Sequence, residues 1–422
     1  MKKWEVKKLG NRECFEILGS GIAYFEGEKE YLSTSSIEAN KIISIESKIT
    51  YQNRPSRANM QPRLNSVWFA RMINTVKVYS FTEGNKNEIE RYVLSTGYAG
   101  ILCNTRKVIP KYVEKIFLSE WFNNFKNALA SDKAIQKSIN NDDLQNLPIP
   151  IPPLSLQQKI VKILDTVQEG IEIQGRIIDK TKELKKSLMA ELFRYGAPSF
   201  RKARKLKKTE IGEIPEDWEV VRLGEVAKID YGIQSAVSGL KDSSLGIPIL
   251  TNKNITNEGE IDLTELNYYP LKNEELEKYL LKKGDIIFNW RSGSIEHVGK
   301  ASIFDRDEQF TFSSFILRFR INQNILNALF LKNYFFWSRN IGFLRTFSQQ
   351  ASINQSLNAS IMKPFPIPLP SLQEQKEIAE ILKVVDEKIG VEKKKKEIYE
   401  ELFKSLLNKI MSWKLDVERI EV

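Results

Sequence analysis

Three arginines, two asparagines and two glutamines fall within residues 51–63, a stretch with no acidic side chain and little to bury. Arginine presents two parallel N–H donors that match guanine O6 and N7. Asparagine and glutamine offer the donor–acceptor pair that matches adenine N6 and N7. Arg54, Arg57, Asn59, Gln61 and Arg63 are therefore candidates for reading base edges in a DNA groove. A solvated polar loop is the alternative, and the residues alone leave both open. Arg71 ends an apolar strand and joins the set. In the second half of the chain the same groups recur at Asn252, Lys253 and Asn254, at Asn289 and Arg291, and at Gln349, Gln350 and Asn354. Lys253 and Lys300 suit phosphate contacts, which position a protein without reading sequence.

Other chemistry is poorly served. One histidine, His297, argues against histidine catalysis or a histidine-rich metal site, and Cys14 and Cys103 match no metal spacing. They read as buried thiols in a reducing cytoplasm. No dinucleotide loop or methyltransferase tetrapeptide is present. Residues 293–301 place five residues between glycines where a phosphate loop needs four, and Ala301 stands where Ser or Thr must hold magnesium. No apolar run reaches the roughly 18 residues that span a bilayer. The basic N-terminus is followed by no apolar segment, so no secretory signal is expected.

The candidates need a frame, and the chain shows one by repeating itself. Trp4-Glu5-Val6-Lys7-Lys8-Leu9-Gly10 returns as Trp218-Glu219-Val220-Val221-Arg222-Leu223-Gly224. Pro148-Ile149-Pro150-Ile151-Pro152 returns 218 residues later as Pro366-Ile367-Pro368-Leu369-Pro370, and the match runs on without a gap. Residues 134–140 and 352–358 align weakly at the same offset, so a Gln- and Asn-bearing loop sits in one place in both copies. Proline excludes helix from the entry segments. Ser155 with Gln158, and Ser371 with Glu374, form capping boxes that predict helix starts. Helices are expected over 156–195 and 372–412, each about 60 Å long at roughly 1.5 Å per residue.

Their apolar residues step 4-3-4-3, the signature of a coiled coil. Ile160, Leu164, Val167, Ile171 and Leu188 form the seam of the first helix, with Gln174, Thr181 and Lys185 among them. Ile378, Leu382, Val385, Ile389 and Leu406 form that of the second, with Glu392 and Lys396. A twofold relation between the copies predicts antiparallel helices with a globular domain at each end. Those domains read as mixed α and β, with strands near Ser66–Ala70, 75–79, 284–288 and 312–319 and helices near 111–129 and 325–347.

The net charge of +10 divides unevenly: +6 over 1–147, +8 over 148–208, −3 over 209–365 and −1 over 366–422. A basic balance suggests nucleic acid, but in the second half any contact must come from a local patch. The run of residues 201–208, six basic in eight, reads either as a flexible linker or as a cover for a DNA backbone.

With these signatures in place, the whole chain resembles the specificity (S) subunit of Type I restriction–modification enzymes. The paired Pro segments and paired Trp-Glu-Val openings carry the likeness, with Lys283-Gly284-Asp285-Ile286-Ile287-Phe288-Asn289 beside them. The resemblance implies a mixed α/β (α+β) fold with two target recognition domains and a pair of long antiparallel coiled-coil helices in a pseudo-twofold repeat. It implies a first recognition domain at 1–147, a spacer helix at 148–198, a basic linker at 199–217, a second recognition domain at 218–365, a second spacer helix at 366–414 and a tail at 415–422. Each domain would read half of a bipartite double-stranded DNA site. The helices would set the gap and dock two methyltransferase (M) subunits, and restriction (R) subunits would join them. No catalytic centre or metal is expected here; S-adenosylmethionine, ATP and Mg would belong to the partner subunits. The protein would carry no helical segment before Trp4, be cytoplasmic and contact no membrane. A coiled-coil scaffold joining two protein-binding domains, and a self-contained nuclease or methyltransferase, remain the alternatives.

Overall fold

The structure, a computed structural model, describes all residues except 1–3, 131–137, 203, 352–355, 413, 416, 418, 419, 421 and 422. The chain forms two units, Met1–Arg176 with Lys393–Val422, and Ile177–Glu392. Each long helix, Leu154–Tyr195 and Leu372–Met411, is divided between them.

The two repeated signatures turn out to be hydrogen-bond partners. In unit 1, Glu5–Lys8 pairs antiparallel with Pro148–Ile151. In unit 2, Glu219–Arg222 pairs in the same way with Pro366–Leu369. Proline is tolerated because each pair is an isolated two-stranded ribbon. The pairing continues from Leu9 N–H to Leu147 O (2.9 Å) and Gly10 N–H to Gln145 O (3.0 Å), and from Leu223 to Phe365 O and Gly224 to Lys363 O (both 2.9 Å). The glycine closing each opening signature lies close against the facing chain. A Cβ on Gly10 would lie 3.0 Å from the Gln145 Cβ, and one on Gly224 3.3 Å from Lys363.

Both domains share one topology. In unit 1 an antiparallel sheet runs Phe15–Leu18, Tyr98–Cys103, Ser66–Ala70, Val78–Phe81; in unit 2 it runs Ala227–Tyr231, Ile316–Ile321, Ile286–Asn289, Ala301–Ile303. A second sheet contains one parallel pair in each, Lys29–Leu32 with Tyr92–Ser95 and Ile247–Leu250 with Thr311–Phe312. Equivalent positions have exchanged their packing. Gly100 pairs with Trp68, whose ring lies where a Cβ would sit, 2.5 Å away; in unit 2 the same positions hold Arg318 and Ile287. Arg318 is fully buried and ion-paired to Asp230 at 2.5 Å.

Each expected single helix is two. Pro110–Leu118 and Glu120–Leu129 meet at Ser119, whose hydroxyl accepts from the Phe122 N–H. Ala328–Asn340 and Phe343–Ala351 break at Gly342, with φ +79°. The strand expected at 75–79 begins instead at Val78, because Asn74 turns the chain at φ +54°.

Within each unit the long helices run antiparallel. In unit 1 Ile160 and Leu164 share a core with Leu407, Ile410 and Met411, and Gly170 faces the Tyr399 ring. In unit 2 Leu192 shares a core with Ile378 and Leu382, and Lys185 bonds Asp386 at 2.6 Å. Ile160, Leu164, Ile378, Leu382 and Ile389 are buried, as are the polar seam members Thr181, Lys185 and Glu392. Val167, Ile171 and Val385 are half-buried. Leu188 and Leu406 are also half-buried; Met189 and Leu407 take the interior. A helix at 3.6 residues per turn drifts from a strict heptad, so the inward face moves on by one residue at the ends.

The first helix starts at Leu154, with the Pro153 carbonyl accepting from Leu156 and Gln157, so Ser155 is no cap. Ser371 does cap the second, accepting from the Glu374 N–H at 3.3 Å, but the Glu374 carboxylate turns away from the box. It accepts from Arg204, from Trp218 Nε1–H at 3.0 Å and from the Ala197 N–H at 3.1 Å. The basic run is therefore built into unit 2 and is not a flexible linker. Arg204 also pairs with Asp217 at 2.5 Å, Arg201 pairs with Glu191, and Leu206–Thr209 forms a hairpin with Gly212–Pro215.

Two glutamines hold each domain to its helix. Gln157 Nε2 donates to Lys107 O (3.0 Å) and Pro152 O (2.8 Å), while its Oε1 accepts from the Ile109 N–H (2.9 Å). Gln375, at the repeat offset, donates to Ile325 O and Pro370 O (both 2.9 Å) and accepts from the Asn327 N–H (2.8 Å).

Candidate nucleic-acid interface

In unit 1 four chain segments meet at one corner of the antiparallel sheet. The Thr96 N–H donates to Arg57 O (2.8 Å), the Arg71 N–H to Gly97 O (2.9 Å) and the Ile139 N–H to Arg71 O (3.0 Å). Arg57, exposed, and Arg71, half-buried, are thereby brought to the same turn. Arg71 Nε donates to Tyr98 O at 3.2 Å, and burial lowers its pKa.

Unit 2 builds the same corner. The Trp290 N–H donates to Phe315 O (3.3 Å) and the Leu357 N–H to Trp290 O (2.9 Å). Gly97 and Phe315, and Ile139 and Leu357, stand at the repeat offset, so the corners are equivalent although their side chains differ. Exposed Arg291 follows Trp290. Trp290 Nε1–H is tied to Ser314 O at 2.7 Å, and the Tyr231 ring meets it edge-on at 5.6 Å. The Tyr231 hydroxyl accepts from the Ala359 N–H at 3.0 Å.

The remaining candidates are placed elsewhere or spent. Arg54 lies over the Tyr51 ring at 4.2 Å. Asn59 sits half-exposed in the edge strand Ala58–Met60. Gln61 accepts from the Ala23 N–H at 3.1 Å, and exposed Arg63 pairs with Glu16 at 3.4 Å. These four line the edge strand and its flanks, apart from the shared corner. Asn252 is half-buried and Lys253 exposed. Their turn follows the parallel strand, as 33–36 does in unit 1, and so is not the counterpart of residues 51–63. Gln349 is exposed; Gln350 lies in the helix Phe343–Ala351. Asn354 and residues 131–137 lie outside the described residues.

Three candidates are corrected. Asn254 is buried, accepts from Thr251 N–H (2.9 Å), and donates to Asp262 O (2.8 Å) and Glu265 O (2.9 Å). It locks its turn as buried Ser36 does by accepting from the Ser33 N–H. Asn289 is fully buried and donates to His297 O at 2.7 Å. Lys300 is 8% exposed, with Nζ on Ile255 O at 2.5 Å, and burial lowers its pKa. Each is enclosed and hydrogen-bonded within its own domain, which argues against a contact with a base or phosphate. The sequence placed them beside strands correctly, but both faces of Ile286–Asn289 are covered.

Lys126 supports the unit 1 corner from beneath. It is 1% exposed, and Nζ donates to Ala70 O (3.3 Å) and Thr75 O (2.6 Å), bracketing the turn that begins at Arg71. Burial lowers its pKa to about 8. The unfolded chain then binds more protons than the folded one between about pH 8 and the ordinary lysine value near 10.5, so stability rises with pH across that window. In Lys126→Met this rise is expected to vanish, as denaturant melts at pH 7.5, 8.5 and 9.5 against wild type would show. Parallel pH profiles for the two proteins would refute it.

Cys14 and Cys103 are free and buried, and burial pushes the Cys103 thiol up to about 12. Among the described residues no helix is long and apolar enough to cross a membrane, and no acidic, cysteine and histidine group is arranged to hold a metal.

The chain matches the model of the Type I restriction modification DNA specificity domain twice, over residues 1–183 and 215–400. It is 32% identical over 289 residues to the Type I restriction enzyme MjaVIII specificity subunit of Methanocaldococcus jannaschii, covering 65% of this chain and 64% of that one. It is 28% identical over 320 residues to the putative Type I restriction enzyme MjaX specificity subunit of the same organism, covering 75% and 70%. The match thus spans just under two thirds of the first of these relatives. Among solved structures it is similar to a chain from work on complex assembly and conformational transition of the type I R-M system, with TM-score 0.63, 20% identity and 97% of both chains covered. It is also similar to the Type I restriction–modification system S subunit from M. genitalium, with TM-score 0.52, 13% identity, and 96% and 95% covered. These two likenesses are of fold.

Proposed function

Because the chain belongs to the Type I restriction modification DNA specificity family, we propose that it is the sequence-recognition subunit of a Type I restriction–modification complex. Each unit's domain reads one half of a bipartite double-stranded DNA site. The paired long helices set the gap and dock two methyltransferase subunits, with restriction subunits completing the assembly. Catalysis, with S-adenosylmethionine, ATP and Mg, resides in those partners, in the cytoplasm.

The observation that carries this reading is the equivalent corner in each unit. Two backbone bonds recur in both, while the side chains are Arg57 and Arg71 in one unit and Trp290, Arg291 and Phe315 in the other. A constant frame with variable faces is what two independent readers require, since bases are distinguished by side-chain chemistry and register by the frame. Selection on random DNA, with the chain bound to its methyltransferase partner, is expected to return two short motifs separated by a constant gap. One continuous motif, or no enrichment, would overturn the reading.

A further inference from the structure

We propose that Phe315 is the apolar base contact of the second domain, a proposal that rests on the DNA-reading function above. Phe315 is 44% exposed, between fully buried Phe312 and Ile316. Exposure of a large aromatic ring at the tip of a turn loses the apolar burial its neighbours gain. The turn is also rigid. Trp290 N–H holds Phe315 O, Trp290 Nε1–H holds Ser314 O, and Tyr231 braces the indole from the side. A backbone already fixed has little freedom left to lose when the side chain it carries meets a ligand.

Unit 1 places Gly97 at this position, and a Cβ there would lie 2.7 Å from the Thr34 side chain. The first corner consequently carries no ring at this position and is flanked by Arg57 and Arg71. The second carries the ring, in a region of net charge −3 where Lys300 and Arg318 are buried with partners inside the domain. Arg291, next to Trp290, is exposed beside it, and Lys253 is exposed elsewhere in the domain. With less phosphate attraction on this side, non-ionic contact to bases has more of the discrimination to supply.

An apolar side chain meets DNA bases in two ways. It packs on the thymine C5-methyl group in the major groove, or it stacks on a base face exposed at an unstacked step. Both remove the ring from water, and the position at the sheet corner is open to either.

The test uses the full chain in complex with its methyltransferase partner, on the bipartite site obtained by selection. Phe315→Ala is expected to weaken binding by about tenfold or more, in the range of base–aromatic contacts. The slope of log affinity against log salt should be unchanged, because no phosphate contact is lost. Lys253→Ala, which removes an exposed candidate phosphate contact, should in contrast flatten that slope. Phe315→Leu, which keeps apolar bulk, should recover part of the loss and checks that the effect is not one of folding. Replacing thymine by deoxyuridine in the second half-site should weaken wild type but not Phe315→Ala if the methyl is the contact. Brightening of 2-aminopurine on binding, lost in Phe315→Ala, identifies stacking. Affinity of Phe315→Ala within twofold of wild type, or neither signature appearing, overturns the proposal while leaving the bipartite reading intact. Failure of wild type to select a bipartite site overturns both.

Discussion

Replacing Glu374 by alanine is expected to destabilise unit 2 by about 3 kcal/mol, the cost of removing the buried one of Arg204's two carboxylate partners, Asp217 remaining, and of stranding buried donors. The carboxylate is 1% exposed and Arg204, opposite it, 9%. Arginine keeps its charge at any working pH, so Arg204 cannot shed it to escape. Removing Glu374 also strands the Trp218 indole N–H and the Ala197 N–H, neither of which faces solvent. The melting transition containing unit 2 should fall by roughly 10 °C, taking about 3 °C per kcal/mol for a unit of this size. Unit 1 should melt as before. Calorimetry of Glu374→Ala, Arg204→Met and the double variant decides the matter. The double variant should regain part of the loss, because an apolar pair carries no stranded charge. A single variant that melts within 2 °C of wild type would show that Arg204 relaxes into water.

The second large effect concerns the glutamines. Gln157→Ala orphans two carbonyls and one N–H at the junction between domain and helix, and Gln375→Ala does the same in the other unit. About 3 kcal/mol is expected for each, from two or three backbone groups left partly unsatisfied. Amide exchange at Ile109 should accelerate in the first variant and at Asn327 in the second, each without effect on the other unit. Gln157→Leu should cost as much as alanine despite filling the space, because the loss lies in hydrogen bonds and not in packing. If leucine restored stability, packing would be the dominant role.

The frame was legible in the sequence because it makes demands on the backbone. Proline and a 3.5-residue apolar period each permit few conformations, so the non-helical entry segments and the long helices could be placed to within a residue or two; that the Trp-Glu-Val openings pair with the Pro segments was not read from the sequence. Side chains that look alike but face differently were not legible. Asn254, Asn289 and Lys300 have the composition of readers, and only the packing of a second layer reveals that they are enclosed. Ser155 fits a cap in pattern, yet Pro153 already supplies the first carbonyl of the helix. Glu374 fits the capping box, yet the fold brings Arg204 and Trp218 to it from 170 and 156 residues away, and a charge-assisted bond to a guanidinium wins over a neutral one to an amide. The aromatic corner of unit 2 was missed for a related reason. Phe315 sits in an apolar stretch, and nothing local marks it as the member left outside.

The ribbon joining Glu5–Lys8 to Pro148–Ile151, and its copy in unit 2, bears on inheritance. The residues between those strands begin and end within one strand spacing, about 4.8 Å, next to the start of a long helix. Whatever lies between can be replaced without moving either end, provided that it closes its own core and offers a loop carbonyl for the glutamine. A crossover at the DNA encoding the Trp-Glu-Val opening, followed by another at the Pro segment, would transplant a whole domain in one event. Both copies in this chain present those same two joints, so either could donate to the other or to a relative. New specificity in such a lineage can arise by reassortment of finished parts, faster than point mutation could rebuild a reading surface residue by residue.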